Sequence, residues 1–103
     1  MCVGIGSFMS KINLLDCTLR DGGYLNDWEF GQDNIINIFE RLVSAGLDII
    51  EIGFLNEARQ YDKNRTIFPD AICVNRTFEG VGKGSSMIVG MIDYGTCGLE
   101  HLI

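Results

Sequence analysis

The sequence predicts an α/β fold in which parallel strands alternate with helices in the order β-α-β-α-β. Two apolar strand patterns, 12–19 and 48–54, flank a pattern typical of an amphipathic helix at 33–45. A strand, a helix and a strand at this spacing form a βαβ unit, whose strands are parallel and joined by a right-handed crossover. A second helix pattern and a third apolar strand, 86–93, follow along the chain.

The first strand pattern, 12–19, leads directly into an Arg-Asp pair and two glycines. Because side chains alternate along a strand, its polar face carries Asp16, Thr18 and Arg20. An acid, a hydroxyl and a guanidinium on one face favour a polar interior over bulk water. Asp21 and the two glycines form a turn where backbone can approach a ligand closely, because glycine has no side chain.

The pattern at 33–45 is the clearest helix in the sequence. Its apolar residues recur at the helical period and form one stripe. Asp33 is the predicted N-cap, and Gly46 suits the left-handed position just past the helix end. The stripe consists of Ile35, Ile38, Phe39, Leu42 and Val43.

The second strand, 48–54, is almost continuously apolar, as expected for a strand that is covered on both faces. Its charged exception inside the strand is Glu51. Parallel strands that flank a crossover place their carboxyl ends at the same edge of the sheet. We therefore expect Glu51 to face Arg20 across the interior, and the polar stretch 56–66 to be a long loop at that edge.

The second half of the chain is predicted as a helix, a loop and a strand. Pro69 suits the first turn of a helix at 70–78, and a glycine-rich loop at 80–85 leads into the strand at 86–93. That strand would form an exposed hydrophobic edge, which favours pairing or aggregation. A (β/α)8 barrel needs about 250 residues, so we expect these 103 residues to be the front part of a longer fold.

Composition limits the classes of function. The chain has 47% hydrophobic and 21% charged residues, which is typical of a globular domain. A net charge of -6 disfavours nucleic acid as a partner. No apolar run approaches the ~20 residues that span a bilayer, so a membrane is not expected as a partner. The four cysteines include no C-x-x-C pair, which favours reduced thiols and a cytoplasmic location.

The sequence pattern divides the chain into a short N-terminal extension and one domain. Residues 1–11 are mildly apolar but lack the basic start of a signal peptide, so they are interpreted as an N-terminal extension. Residues 12–103 form the predicted domain.

The residues around the Arg-Asp pair carry a resemblance to a known family. DCTLRDG at 16–22, followed by IEIG at 50–53, resembles the N-terminal part of the DRE-TIM metallolyase superfamily. Its members include 3-hydroxy-3-methylglutaryl-CoA lyase, 4-hydroxy-2-oxovalerate aldolase, and the isopropylmalate and homocitrate synthases. The Asp, Arg and Glu of the family name match Asp21, Arg20 and Glu51, and the variant RDGGYLNDWEFG is most similar to the aldolase-type members.

The resemblance implies a TIM barrel, of which this chain would be the first part. It implies a lyase that cleaves a 4-hydroxy-2-oxo acid through a pyruvate enolate, with Mn²⁺ or Mg²⁺. Asp21 would bind the metal, Arg20 would stabilise the enolate, and Glu51 would hold the site together. These roles agree with chemistry, since a divalent cation prefers hard oxygen ligands and a guanidinium stabilises developing negative charge. An oligomer or a partner dehydrogenase is also implied.

Two features depart from the family pattern. Aldolase-type members place a His acid/base three residues after the metal Asp, where this chain has Tyr24. Tyr24 could donate a proton, or it could pack or contact substrate; Glu51 could likewise be structural or catalytic. Family members also bind metal through a His-x-His pair, which is missing here because the single histidine is His101.

Two alternative functions remain open at the level of sequence. One is an acyl-CoA-condensing synthase of the same superfamily, and the other is a truncated, non-catalytic chain that keeps the motif. Two weaker motifs were rejected. The acids at 26–29 lack the spacing of a calcium loop, and GVGKG at 80–84 lacks the spacing and the following helix of a phosphate loop.

Overall fold

The computed structural model describes residues 12–93, 95, 97 and 98. The predicted N-terminal extension 1–11 and His101 lie outside these described residues. In chain order the elements are β1 (Leu15–Asp16), α1 (Thr18–Asp21), α2 (Gln32–Ser44), β2 (Ile49–Leu55), β3 (Ile67–Phe68), α3 (Ala71–Thr77) and β4 (Met87–Met91).

The sheet is built around β2, and each of the other three strands pairs with it in parallel. β1 joins its beginning, where Leu15 is the register partner of Ile49. β4 follows most of its length, and β3 joins its last two residues. The α/β class and the parallel sheet are therefore as predicted, with α1 and β3 as two short elements that the sequence analysis did not foresee.

The predicted first strand, 12–19, is confirmed only at Leu15–Asp16 and is wrong on both sides of it. The chain leaves the sheet after Asp16 because the Asp16 carboxylate accepts hydrogen bonds from both the N–H and the hydroxyl of Thr18, at 2.9 and 3.0 Å. Such local bonds compete with strand pairing. The N–H groups of Arg20 and Asp21 then both donate to the carbonyl of Cys17, at 3.1 and 2.7 Å. The Arg-Asp pair consequently lies in a single helical turn, and the predicted strand alternation does not apply to it.

The helix at 33–45 is confirmed with shifted ends. It starts at Gln32, and its N-cap is Gly31, with a φ of 88°, rather than Asp33. The Asn64 side chain accepts the N–H of Gln32 at 3.1 Å, so a loop residue satisfies this end of the helix. Gly46 has a φ of 83°, as predicted for the residue past the helix end.

The helix predicted at 70–78 is confirmed as α3, Ala71–Thr77, but Pro69 precedes its N-cap and does not lie in its first turn. Its N-cap is Asp70, whose carboxylate accepts the N–H of Cys73 at 2.9 Å. The third strand is confirmed within its predicted range, and Met87 at its start is exposed. Of the described helices, none is both long and apolar enough to cross a membrane.

The core lies between the sheet and the two longer helices. β2 is buried from Ile50 to Leu55, in agreement with the prediction that both faces are covered. Phe39 of α2 and Phe78, just after α3, bring their ring centroids to 4.6 Å. The core cluster consists of Leu19, Ile35, Phe39, Ile50, Ile52, Leu55, Phe68, Cys73 and Phe78.

Candidate functional site

An ion pair between α1 and β2 forms the centre of the candidate site. Nε of Arg20 donates to Oε1 of Glu51 at 2.5 Å. The two side chains are 20% and 9% exposed, so most of their surface is removed from water. The structure therefore brings these two predicted site residues together, although Arg20 reaches Glu51 from a helical turn and not from a strand.

Glu51 also stabilises the charged form of Arg20. The hydrogen bond to Glu51 is the main reason that the pKa of Arg20 is raised, and the negative charge of Glu51 adds to it. Burial acts in the opposite direction, and a hydrogen bond with the Tyr24 side chain raises the pKa further. The guanidinium is thus a permanent cation in a partly dehydrated place.

Asp21, the predicted metal ligand, lies on the open side of this pair. Its Oδ1 is 3.4 Å from Nη1 of Arg20, and its side chain is 66% exposed. Within the described part of the chain, no three His, Cys, Asp or Glu side chains are close enough together to hold a metal ion. These residues therefore supply one accessible carboxylate to a metal, and do not complete a metal site.

Tyr24, the predicted replacement for the family His, lies in the loop after α1 and is 60% exposed. Its ring makes edge contacts with Trp28, at 4.9 Å between centroids, and with Phe54, at 6.2 Å. The structure thus places Tyr24 in an aromatic cluster next to Arg20. Its position is compatible with packing and with substrate contact.

Trp28 was not identified from the sequence as part of this site. Its indole Nε1 donates to the carbonyl of Arg20 at 2.6 Å, and its ring lies 5.3 Å from that of Phe54. Phe54 in turn lies 6.0 Å from the guanidinium carbon of Arg20. One signal in the sequence could have found it, because this is the single Trp of the chain and it lies in a polar loop close to the Arg-Asp pair.

A second group of charged residues joins the loop that contains Trp28 to the loop after β2. Nη1 of Arg65 donates to Oδ2 of Asp27 at 2.8 Å and to its carbonyl at 2.7 Å. Arg59 pairs with the same carboxylate at 3.1 Å, and Glu29 and Asp62 also pair with Arg65. The two loops are therefore joined at the edge where β2 ends.

A small cleft opens at this edge, beside the end of β2. Its volume is about 100 Å³, and the rings of Tyr24, Trp28 and Phe54 line one part of it. Arg59 and Asn56 provide polar groups elsewhere on its wall. The cleft thus offers an apolar surface at the carboxyl end of the central strand. One of its rings, that of Phe54, also lies 6.0 Å from the guanidinium carbon of Arg20.

Comparisons of the chain with protein-family models, with curated proteins and with solved structures found no match. The resemblance to the DRE-TIM metallolyases therefore stays a prediction that rests on the motif residues.

Proposed function

We propose that this chain carries the Arg-Asp-Glu part of a carbon–carbon lyase of the aldolase type. Its substrate would be a 4-hydroxy-2-oxo acid, which is cleaved to pyruvate and an aldehyde. The observation that supports this most is the partly buried pair of Arg20, in the turn that follows β1, and Glu51, inside β2, with Asp21 exposed next to it. A resemblance of motif and a matching geometry point to the same three residues.

Arg20 would stabilise the enolate. Retro-aldol cleavage leaves negative charge on the oxygen of the former 2-oxo group, and a fixed guanidinium beside that oxygen lowers the barrier. A guanidinium has five N–H donors. Contacts with Glu51 and Asp21 engage two of them, which leaves donors for ligand oxygens. Glu51 would hold the guanidinium in one orientation rather than take part in proton transfer.

The resemblance also implies Mn²⁺ or Mg²⁺. Asp21 would contribute one carboxylate to such an ion, since its side chain is exposed and hard cations prefer oxygen ligands. When bound, a divalent cation polarises the carbonyl and offsets charge on the enolate oxygen. Its other ligands would have to come from outside the described residues.

The proposed fold is a TIM barrel. β1, α2, β2, α3 and β4 supply three parallel strands with a helix between each consecutive pair. Active sites of TIM barrels lie at the carboxyl ends of the strands, and Arg20 and Asp21 lie in the turn that follows the carboxyl end of β1. A cytoplasmic location is part of the same proposal, and it is supported by the reduced thiols of Cys17 and Cys73.

A coupled turnover assay tests this function. The protein is supplied with 4-hydroxy-2-oxopentanoate and MnCl₂, and released pyruvate is reduced by lactate dehydrogenase while NADH is followed. We expect Arg20→Met to lower kcat by about 10²- to 10³-fold, as for loss of one oxyanion donor. Asp21→Asn should lower activity as well. Asp33→Asn, at an exposed carboxylate on α2, is the matched control and should have no effect.

The same assay separates the alternatives. Turnover that depends on acetyl-CoA would favour the condensing synthase instead. No turnover with either substrate would favour the non-catalytic chain. Wild-type turnover that survives both Arg20→Met and Asp21→Asn would refute the proposed site.

A further inference from the structure

We propose that Trp28 is the positioning residue for Arg20. Its indole N–H donates to the Arg20 carbonyl at 2.6 Å. The backbone of Trp28 is fixed on both sides, because its N–H donates to the Gly23 carbonyl at 2.9 Å and its carbonyl accepts the N–H of Thr66 at 3.0 Å. One residue therefore ties the end of α1 to its own loop and to the approach to β3.

Arg20 needs such an anchor because α1 is a single turn. A four-residue helix has almost no stability of its own. Its last carbonyls are satisfied from outside the helix, since Leu19 accepts the buried hydroxyl of Thr66 at 2.7 Å and Arg20 accepts the indole. The Arg20 N–H also donates to Cys17 within the turn, at 3.1 Å, and the Arg20 carbonyl accepts the Gly23 N–H at 3.4 Å. At 2.6 Å the indole bond is the shortest of these three, and it is the one that ties the Arg20 backbone to a side chain outside the turn.

The Trp28 indole packs directly against the backbone of Gly23. A Cβ at this position would lie 1.9 Å from the Trp28 ring, so a side chain there would displace it. Asp27 and Trp28 both have a left-handed backbone, with φ values of 52° and 61°. L-residues with side chains rarely adopt this conformation, and it persists only where surrounding contacts hold it. Arg65 supplies such a contact by bonding both the carbonyl and the carboxylate of Asp27.

The Trp28 ring also affects the position of the Arg20 side chain, through Phe54. Trp28 contacts Phe54, and Phe54 lies under the guanidinium of Arg20. The indole therefore fixes both the backbone of Arg20 and the ring on which its side chain rests. The inference rests on the proposed function in one respect, since it takes Arg20 as the cation that binds the ligand.

The test exploits the fact that the chain has one Trp. Expression in a tryptophan auxotroph with β-(benzothien-3-yl)alanine replaces only position 28 and removes the N–H while keeping the ring size. Incorporation of 5-fluorotryptophan, which keeps the N–H, is the matched control. Arginine labelled with ¹⁵N then reports the Nε–H of Arg20, and oxalate with MnCl₂ serves as a planar enolate mimic in calorimetry.

We expect the Arg20 Nε–H to exchange about 3- to 10-fold faster in the benzothienyl protein, as for loss of one hydrogen bond. Oxalate should bind more weakly by a similar factor, with backbone amide signals outside 18–31 unchanged. The 5-fluorotryptophan protein should match the wild type. A structural role confined to packing would leave the Arg20 signal unmoved, because both analogues fill the same space.

Three results decide the outcome. Unchanged Arg20 exchange in a folded benzothienyl protein overturns the inference. If that protein does not fold, hydrogen exchange of the Trp28 indole N–H is measured in the wild type. An indole N–H that exchanges freely in the native state also overturns the inference. If the Arg20 signal changes as expected but the wild type does not bind oxalate, the positioning role stands and the proposed function fails.

Discussion

Removal of one partner of the Arg20–Glu51 pair should destabilise the protein more than removal of both. Glu51→Leu leaves the guanidinium, 20% exposed, with Asp21 3.4 Å away as its remaining carboxylate in the site. Arg20→Met leaves the Glu51 carboxylate 9% exposed without its cation. Loss of one member of a buried pair costs about 3–5 kcal/mol. Partial exposure reduces this, so we expect about 2–4 kcal/mol for each single change.

The double variant should recover most of this loss. Arg20→Met with Glu51→Leu removes both charges together with their desolvation penalty, and apolar replacement of a buried pair is often neutral. We expect the double variant within about 1–2 kcal/mol of the wild type, so that the coupling between the two positions reaches at least about 2 kcal/mol. Two unit charges about 4 Å apart attract by about 4 kcal/mol at an effective dielectric constant of 20, which is consistent with this range.

Urea unfolding measures all four proteins. Trp28 fluorescence reports the site and far-UV circular dichroism reports the helices, and the two transitions should coincide if unfolding is two-state. A double variant that loses the sum of the two single losses would refute the reasoning, because the positions would then be independent. A folded double variant that no longer binds oxalate would show that the pair contributes to ligand binding more than to stability.

Two substitutions test the surroundings of the pair, and one labelling experiment tests a cysteine of the core. Gly23→Ala places a Cβ into the Trp28 ring, so thermal unfolding should show a loss of about 2–4 kcal/mol; a melting temperature equal to the wild type would contradict this contact. Thr66→Val keeps the shape but leaves the Leu19 carbonyl without its 2.7 Å donor, and should cost about 1–3 kcal/mol in urea unfolding. Burial raises the pKa of the Cys73 thiol, so iodoacetamide at pH 8 should label it far more slowly than the partly exposed cysteines. Because the folded state holds this proton more tightly, that contribution to stability is lost as pH rises past the ordinary thiol pKa.

The elements that the sequence predicted well are those with a local signal. The helix α2 follows from a stripe repeated at the helical period, and β2 follows from a long apolar run. Their parallel pairing follows from the order of elements, because a crossover helix leaves little choice of direction. These features would be recognised in any chain with the same spacing.

The elements that were missed depend on side-chain bonds, some of them distant in sequence. The segment TLRD looks like the end of a strand, but it turns into α1 because bonds from Asp16, Thr66 and Trp28 favour the turn. β3 has two residues and exists by pairing with the end of β2. Neither a periodicity nor a propensity can encode a bond between residues 47 positions apart.

The site was predictable in part for the same reason. Arg20 and Glu51 were expected to meet because both lie near the carboxyl ends of neighbouring parallel segments, and they do meet, though by a different route. The anchor by Trp28 could not be derived, since it requires the left-handed loop and the absence of a side chain at Gly23, against which the indole packs. The placement of Asp21 on the open side likewise follows from the helical turn and not from strand alternation.

The net charge of the site determines how the proposed metal should affect the binding of an anionic ligand. Arg20 is paired with both Glu51 and Asp21, so one cation faces two carboxylates and the group carries a net charge of about -1. Such a group repels the anion of a 2-oxo acid, whereas a divalent cation on Asp21 would make the group net positive. Asp21→Asn should therefore weaken oxalate binding when MnCl₂ is present. Without metal it should strengthen binding by about 5-fold, since one exposed charge contributes about 1 kcal/mol at low salt. Calorimetry that gives the same sign under both conditions would show that Asp21 acts as a charge alone and not as a ligand to the ion.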